Sequence, residues 1–174
     1  TLPKNISRLR NLAERDEFMI WEDRKFCDIG NTNRLQLKRL LELNLVDFVS
    51  VNPSGGLKSL EPFFDRVGVF VLAEMSSENN LINMEYTSRC LELVNKNNTK
   101  ISGIINQTIK KRNINSNVLS ITPGISIYSK NDGIGQKYRT TQQLENTPDI
   151  LVVGRAIYNN SIPEKVVEKL CNIY

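Results

Sequence analysis

From Phe18 to Thr32 the chain reads FMIWEDRKFCDIGNT, an apolar run that passes directly into charged residues. Residues two apart on a strand share a face, so Asp23 and Lys25 are predicted to point to the same side. Asp28 follows three residues later, where the strand has ended and the chain turns. The stretch therefore predicts a buried strand that ends in a cluster of two carboxylates and an ammonium group.

The spacing Asp23-x-Lys25-x-x-Asp28 suits proton-transfer chemistry. Carboxylates beside an ammonium group stabilise its charge and keep a proton donor available at neutral pH. They would also repel a negative group on a bound substrate until that group leaves. Spacing alone leaves a second interpretation open, namely a solvated strand edge with alternating charges. We take Asp23, Lys25 and Asp28 as candidate catalytic residues because groups that are costly to bury usually carry function.

Composition narrows the class of protein. The 174 residues are 40% hydrophobic, which suffices for one domain with its own core. No apolar run is long enough to span a membrane, and the first residues have no signal-peptide pattern. The chain has no histidine, which excludes Ser-His-Asp triads and His-based zinc sites. The net charge is +4 and the one basic cluster, 110–112, is typical of a solvated loop, so no nucleic-acid partner is expected.

Apolar strand-like runs alternate with amphipathic helical runs along the chain. Asn31 or Thr32 is predicted to cap the second helix. Six strand-then-helix units in a row indicate an α/β fold with a parallel sheet. The strands are predicted at about 18–26, 46–52, 67–75, 100–106, 117–123 and 149–154, and the helices near 5–16, 33–44, 57–66, 82–97, 140–146 and 162–173.

This order fits a (β/α)8 TIM barrel of which about six βα units are visible. A helical segment precedes the first strand, and a full barrel takes about 200 residues or more. We therefore expect residues 1–174 to form a single barrel domain that lacks its first two strands. Polar residues gather where the predicted strands end, which is the face on which barrels carry their active sites.

Two late segments predict a phosphate site. Thr122-Pro123-Gly124 opens a glycine-rich loop that runs to Arg139, and Gly154-Arg155 follows the last strand. Loops after the last two strands are the usual phosphate site of barrels, where backbone amides and an arginine bind the anion. Each segment alone could equally be an ordinary loop with a salt-bridged arginine. Together they favour a phosphorylated small molecule as the ligand.

Residues 22–32 resemble the signature of eukaryotic orotidine 5′-phosphate decarboxylases. The resemblance continues in order through LAEMSS at 72–77, EYT at 85–87, TPG at 122–124, GQKYR at 135–139 and VGR at 153–155, whereas 101–118 match weakly. It implies decarboxylation of orotidine 5′-monophosphate (OMP) to UMP in pyrimidine biosynthesis, without cofactor or metal.

The resemblance also implies roles for single residues. Asp23 would crowd the leaving carboxylate, and Lys25 would protonate the ring carbon. Asp28 and Thr32 would act in the neighbouring subunit of a homodimer with shared active sites. The remaining residues expected to bind substrate are Ser76 at the pyrimidine, Gln136, Tyr138 and Arg155 at the phosphate, and Pro123 and Gly154 beside them. The loop 124–138 would close over the ligand. Three well-separated cysteines suggest free thiols and a cytoplasmic location.

The sequence departs from this family in one respect. The family carries a ribose-binding aspartate on its first strand and a second catalytic lysine at the end of its second strand, and residues 1–174 contain neither strand. An alternative is therefore an inactive fragment or descendant that binds a nucleotide or serves as an interaction module. A third interpretation is a metal-using barrel decarboxylase that acts on sugar phosphates and shares the Asp-x-Lys-x-x-Asp spacing.

Overall fold

Six parallel strands form one sheet in chain order, β1-β2-β3-β4-β5-β6. The computed structural model describes residues 2–127, 135, 137–144 and 147–173. The strands are β1 Trp21–Phe26, β2 Phe48–Val51, β3 Gly68–Leu72, β4 Gly103–Ile105, β5 Leu119–Pro123 and β6 Ile150–Val152. The helices are α1 Leu2–Arg15, α2 Gly30–Glu42, α3 Leu57–Leu60, α4 Met84–Lys96, α5 Arg155–Tyr158 and α6 Pro163–Ile173. All six predicted strands are present, and their order matches the predicted partial barrel. The expectation that the first strand is buried is wrong, because β1 lies at the edge of the sheet, Phe18 and Met19 are 43% and 71% exposed, and only Phe26 of β1 is buried.

The two faces of the sheet are both apolar, and each packs against a different partner. On β3, Val69 and Val71 belong to the large cluster shared with the helices, whereas Phe70 and Leu72 belong to a second cluster inside the curled sheet. In that inner cluster Trp21 meets the ring of Phe70 edge-on at 5.1 Å, and Phe48 stacks on the same ring at 4.6 Å. Contact between β1 and β3 across the inner face requires the sheet to curl, which brings the carboxyl ends of the strands around a common space.

Three predicted helical features differ in the structure. The helix expected at 57–66 is the short α3, followed by a 3₁₀ turn at Glu61–Phe63, because Pro62 has no N–H for the α ladder. The helix expected at 140–146 is a 3₁₀ turn at Thr141–Gln143, and residues 145 and 146 lie outside the described residues. The predicted cap at Asn31 or Thr32 is wrong, since α2 already begins at Gly30.

The early start of α2 depends on a close approach at Gly30. A Cβ atom at this position would lie 2.6 Å from the carbonyl oxygen of Lys58 in α3. Only glycine allows this contact, which brings the first turn of α2 against α3. In the described part of the chain, no helix is both long and apolar enough to cross a membrane.

Candidate active site

A pocket of about 260 Å³ opens at the carboxyl ends of the strands. Side chains from β1, β3, β4, β5 and β6 contribute to its walls, and the base is apolar. Its polar and charged lining includes Asp23, Lys25, Glu74, Ser76, Ser77, Tyr138, Arg155 and Tyr158. The site is therefore assembled from distant parts of the sequence by the curl of the sheet.

An ion pair on β1 dominates one wall of this pocket. The Nζ atom of Lys25 lies 2.9 Å from both carboxylate oxygens of Asp23. The side chains are 32% and 46% exposed, so the pair faces the pocket opening and keeps contact with solvent. The sequence prediction that both residues share a face is confirmed. Glu22 and Arg24, which were not assigned to the site, pair with each other at 3.1 Å.

The backbone beneath this pair is irregular. Lys25 has a φ of 55°, in the left-handed region that a residue with a Cβ atom rarely adopts. The register between β1 and β2 shifts at the same place, between Glu22 and Phe26. A bulge of this kind re-aims side chains and is common beside functional sites. Lys25 lies within this irregular stretch, and its ammonium group meets the Asp23 carboxylate there.

The opposite wall carries the groups predicted for phosphate. Arg155 opens α5 directly after β6, and its guanidinium carbon lies 5.5 Å from the centre of the Tyr138 ring. Pro123 and Gly154 line the same pocket. A cation held against an aromatic face keeps its N–H groups available at the ring edge, where an anion could bind.

Gly135 and Lys137, in the loop between β5 and β6, are hydrogen-bonded to the segment that follows β3. The backbone N–H of Lys137 donates to the carbonyl of Ser76 at 3.0 Å, and the backbone N–H of Glu78 donates to the carbonyl of Gly135 at 2.9 Å. Ser76 also lines the pocket. These bonds hold the residues before Tyr138 against the segment that follows β3. They therefore connect the part of the pocket predicted to bind the pyrimidine with the part predicted to bind the phosphate.

The structure brings most of the predicted site residues together. Seven of them line the one pocket: Asp23, Lys25, Ser76, Pro123, Tyr138, Gly154 and Arg155. Asp28 and Thr32 lie outside it, so within this chain Lys25 pairs with one carboxylate rather than two. Gln136 lies outside the described residues.

Asp28 occupies an exposed turn whose position is fixed by a buried neighbour. Its carboxylate accepts a hydrogen bond from the backbone N–H of Ile29 at 2.7 Å. The side-chain amide of Asn33, which is fully buried, donates to the carbonyl oxygens of Asp28 and Ser59, both at 2.9 Å. The turn is therefore anchored to α2 and α3, while the carboxylate itself faces outward.

Sequence reasoning missed a polar network that begins at Glu74 in the pocket wall and extends to Gln107 and Arg139. The Glu74 carboxylate accepts the backbone N–H groups of Gln107 and Thr108. Gln107 donates to the carbonyl of Pro123 at 3.1 Å and accepts a hydrogen bond from the guanidinium of Arg139. This network ties together the ends of β3, β4 and β5. Gln107 falls in the weakly matched region 101–118, so no motif pointed to it.

The matched Tyr86 and Thr87 serve the fold rather than the pocket. The Tyr86 hydroxyl donates to the carbonyl of Leu72 at 3.0 Å, and the Thr87 hydroxyl donates to the carbonyl of Ala73 at 3.2 Å. Burial raises the pKa of the Tyr86 phenol and raises the pKa of the nearby Cys90 thiol to about 11. The phenol and the thiol therefore stay protonated at neutral pH. Both contact the carbonyl of Leu72 and so hold α4 against the end of β3.

Comparisons with known proteins agree with this architecture. A sequence model described as "Orotidine 5'-phosphate decarboxylase / HUMPS family" matches residues 5–170. The orotidine 5′-phosphate decarboxylase of Mucor circinelloides f. lusitanicus is 34% identical over 170 residues, covering 92% of this chain and 63% of the relative. That of Mycosarcoma maydis is 36% identical over 170 residues, covering 88% and 59%.

A solved structure gives the same result for the fold. The crystal structure of orotidine 5′-phosphate decarboxylase from Pyrococcus horikoshii OT3 superposes with a TM-score of 0.71 at 25% identity, covering 96% of this chain and 79% of that one. The present chain spans about three fifths of the length of the two fungal relatives.

Proposed function

Since this chain belongs to the orotidine 5′-phosphate decarboxylase / HUMPS family, we propose that it decarboxylates OMP to UMP. The observation that carries the proposal is the Asp23–Lys25 ion pair at the pocket, with Nζ 2.9 Å from both carboxylate oxygens. The single sheet formed by all six strands supports one domain over residues 1–174.

The ion pair has the two properties that a decarboxylation requires. The substrate carboxylate would lie against Asp23, and the repulsion between the like charges is relieved as carbon dioxide leaves. The carbon–carbon bond breaks and its electron pair stays on the ring carbon. The Lys25 ammonium then donates a proton to that carbon, and solvent returns a proton to the amine. This sequence of steps needs no cofactor and no metal.

The groups on the far wall would bind the phosphate of the nucleotide. Arg155 supplies positive charge, and Tyr138 presents its ring to the same guanidinium. Binding energy at the phosphate, remote from the reacting carbon, can hold the carboxylate against Asp23. The bonds from the loop to Ser76 and Glu78 give this part of the site a fixed position relative to the pyrimidine end.

We further propose that the active form is a homodimer in the cytoplasm. Asp28 is exposed and lies outside the pocket of its own chain, and Thr32 lies outside it too. This placement supports a role for both residues in the site of a second subunit. The three free cysteines fit a reducing compartment.

The decisive experiment follows the absorbance of OMP as UMP forms, with the purified 174-residue chain and its Lys25→Ala variant. The wild type is expected to turn over, and the variant to lose at least about 100-fold in kcat, the usual contribution of a general acid. Lys100→Ala is the matched control, because Lys100 contacts both oxygens of Asp65 at 2.8 and 2.7 Å outside the pocket.

Each alternative has its own outcome in this experiment. Full retention of kcat in Lys25→Ala contradicts the assigned role of the ammonium. A folded wild type that binds UMP without turnover identifies a nucleotide-binding descendant instead. Turnover that a chelator abolishes identifies metal-dependent chemistry.

A further inference from the structure

One buried polar side chain lies opposite the irregular part of β1. The register pairs Glu22 with Val49 and Phe26 with Val51, so residues 23–25 of β1 face the single residue Ser50 of β2. Ser50 interrupts an otherwise apolar strand and is 0% exposed. A buried hydroxyl needs partners, and the pattern of apolar strands offers no reason for one here.

The partners of Ser50 are the backbone and the side chain of the ion pair. Its Oγ accepts a hydrogen bond from the backbone N–H of Lys25 at 3.1 Å. The same hydroxyl donates to Oδ1 of Asp23 at 2.7 Å. The first bond satisfies an N–H that the bulge removes from the regular ladder. The second holds one carboxylate oxygen at the strand while the ammonium binds both oxygens.

We propose that Ser50 is the positioning residue of the Asp23–Lys25 pair, an inference that deepens the proposed function and rests on it for its catalytic meaning. Through one hydroxyl, Ser50 fixes the left-handed backbone at Lys25 and the orientation of the Asp23 carboxylate. It is not among the residues that line the pocket, so it would act through the ion pair. Its contribution is to hold the two charged groups in the same relative position from one turnover to the next.

The experiment compares Ser50→Ala and Ser50→Cys with the wild type. Alanine removes the hydroxyl, whereas the thiol of cysteine is a weaker donor and acceptor of similar size. Loss of a hydrogen bond to a charged group predicts about a tenfold fall in kcat for Ser50→Ala, with KM for OMP within about twofold of wild type. Ser50→Cys is expected to lie between the two.

Amide hydrogen exchange at Lys25, measured by NMR, gives a readout that does not depend on turnover. The Lys25 N–H is expected to exchange about tenfold faster in Ser50→Ala, while the N–H of Val71 in the same sheet changes less than about twofold. Ser102→Ala is the matched control, because the Ser102 hydroxyl accepts the backbone N–H of Val69 at 3.2 Å in the same way at the other end of the sheet.

The two measurements separate the two hypotheses. An unchanged exchange rate at Lys25 in Ser50→Ala overturns the positioning role, whatever the activity. An unchanged kcat beside an active wild type also overturns it and leaves the decarboxylation standing. If the wild type is inactive, the proposed function fails, and faster exchange confined to Lys25 still supports Ser50 as the residue that holds the pair.

Discussion

Replacing Lys25 by glycine should give a more stable protein than replacing it by alanine. Both variants lose the ion pair with Asp23, so the comparison isolates the backbone. The φ of 55° at this position is one that glycine adopts freely and that alanine adopts only with strain. At ordinary strand positions the order is reversed, because glycine loses more conformational freedom on folding.

The expected difference follows from two opposing terms. The left-handed conformation costs a residue with a Cβ atom about 1–2 kcal/mol. Glycine in a regular element is about 0.5–1 kcal/mol less favourable than alanine. The free energy of unfolding of Lys25→Gly should therefore exceed that of Lys25→Ala by about 0.5–1 kcal/mol. The difference corresponds to a few degrees in Tm for a domain of this size.

Urea unfolding followed by circular dichroism measures both free energies, and Arg24 provides the internal control. Arg24 is the preceding strand residue and is not among those with positive φ. Arg24→Ala should be more stable than Arg24→Gly by about 0.5–1 kcal/mol. The same order at both positions, alanine above glycine, would refute the left-handed bulge and with it the geometry assigned to the ion pair. Both Lys25 variants should lose at least about 100-fold in kcat for OMP.

Two further substitutions test the supports of the sheet and of the Asp28 turn. Burial raises the pKa of Asp149, but hydrogen bonds from Lys111 and from the N–H of Ser120 outweigh it and hold this pKa below its usual value of 3.8. A lowered pKa stabilises the fold above that value, so Asp149→Asn should lower the free energy of unfolding at pH 7 by about 1 kcal/mol. The deficit should shrink as the pH falls below about 3.8, and urea midpoints at pH 7 and pH 3 that show a constant deficit would contradict this. Asn33→Asp places a carboxylate against two carbonyl oxygens and should cost about 3 kcal/mol or more at pH 8, and less at pH 5, where a protonated carboxyl can donate one of the lost bonds. Equal urea midpoints for the variant and wild type at pH 8 would contradict the contacts assigned to Asn33.

The sheet was predictable because its signal is local and redundant. Runs such as Val69-Phe70-Val71-Leu72 are apolar on both faces, and only a sheet with both faces covered accounts for them. The short helices were not predictable to the same degree. At 57–66 the apolar spacing suggested a helix, but Pro62 lies within it and the backbone changes to a 3₁₀ turn. The spacing of apolar residues shows which side of a helix is buried, whereas backbone hydrogen bonds determine where the helix ends.

The sequence indicated several of the side chains that line the pocket, but not the backbone geometry that holds them there. The spacing Asp23-x-Lys25 indicates a common face, and the structure confirms that the two side chains meet. Alternation alone does not predict the register shift between Glu22 and Phe26 or the positive φ of Lys25, which accompany the 2.9 Å contacts of Nζ with both oxygens. The support from Gln107 was equally hidden, since it depends on contacts with the ends of two other strands that are distant in sequence.

Ser50 nevertheless left a trace in the sequence. It is the one polar residue in Phe48-Val49-Ser50-Val51, a strand that the fold buries. Lys25 is also unusual, because a residue with a Cβ atom rarely adopts a positive φ within a strand. A buried hydroxyl and a positive φ are each unfavourable alone. Here the Ser50 hydroxyl accepts the Lys25 N–H that the bulge leaves without a strand partner, and the bulge gives that hydroxyl its hydrogen-bond partners. In this chain the buried polar residue of β2 lies opposite the irregular part of β1, and that irregularity coincides with the residues proposed for catalysis.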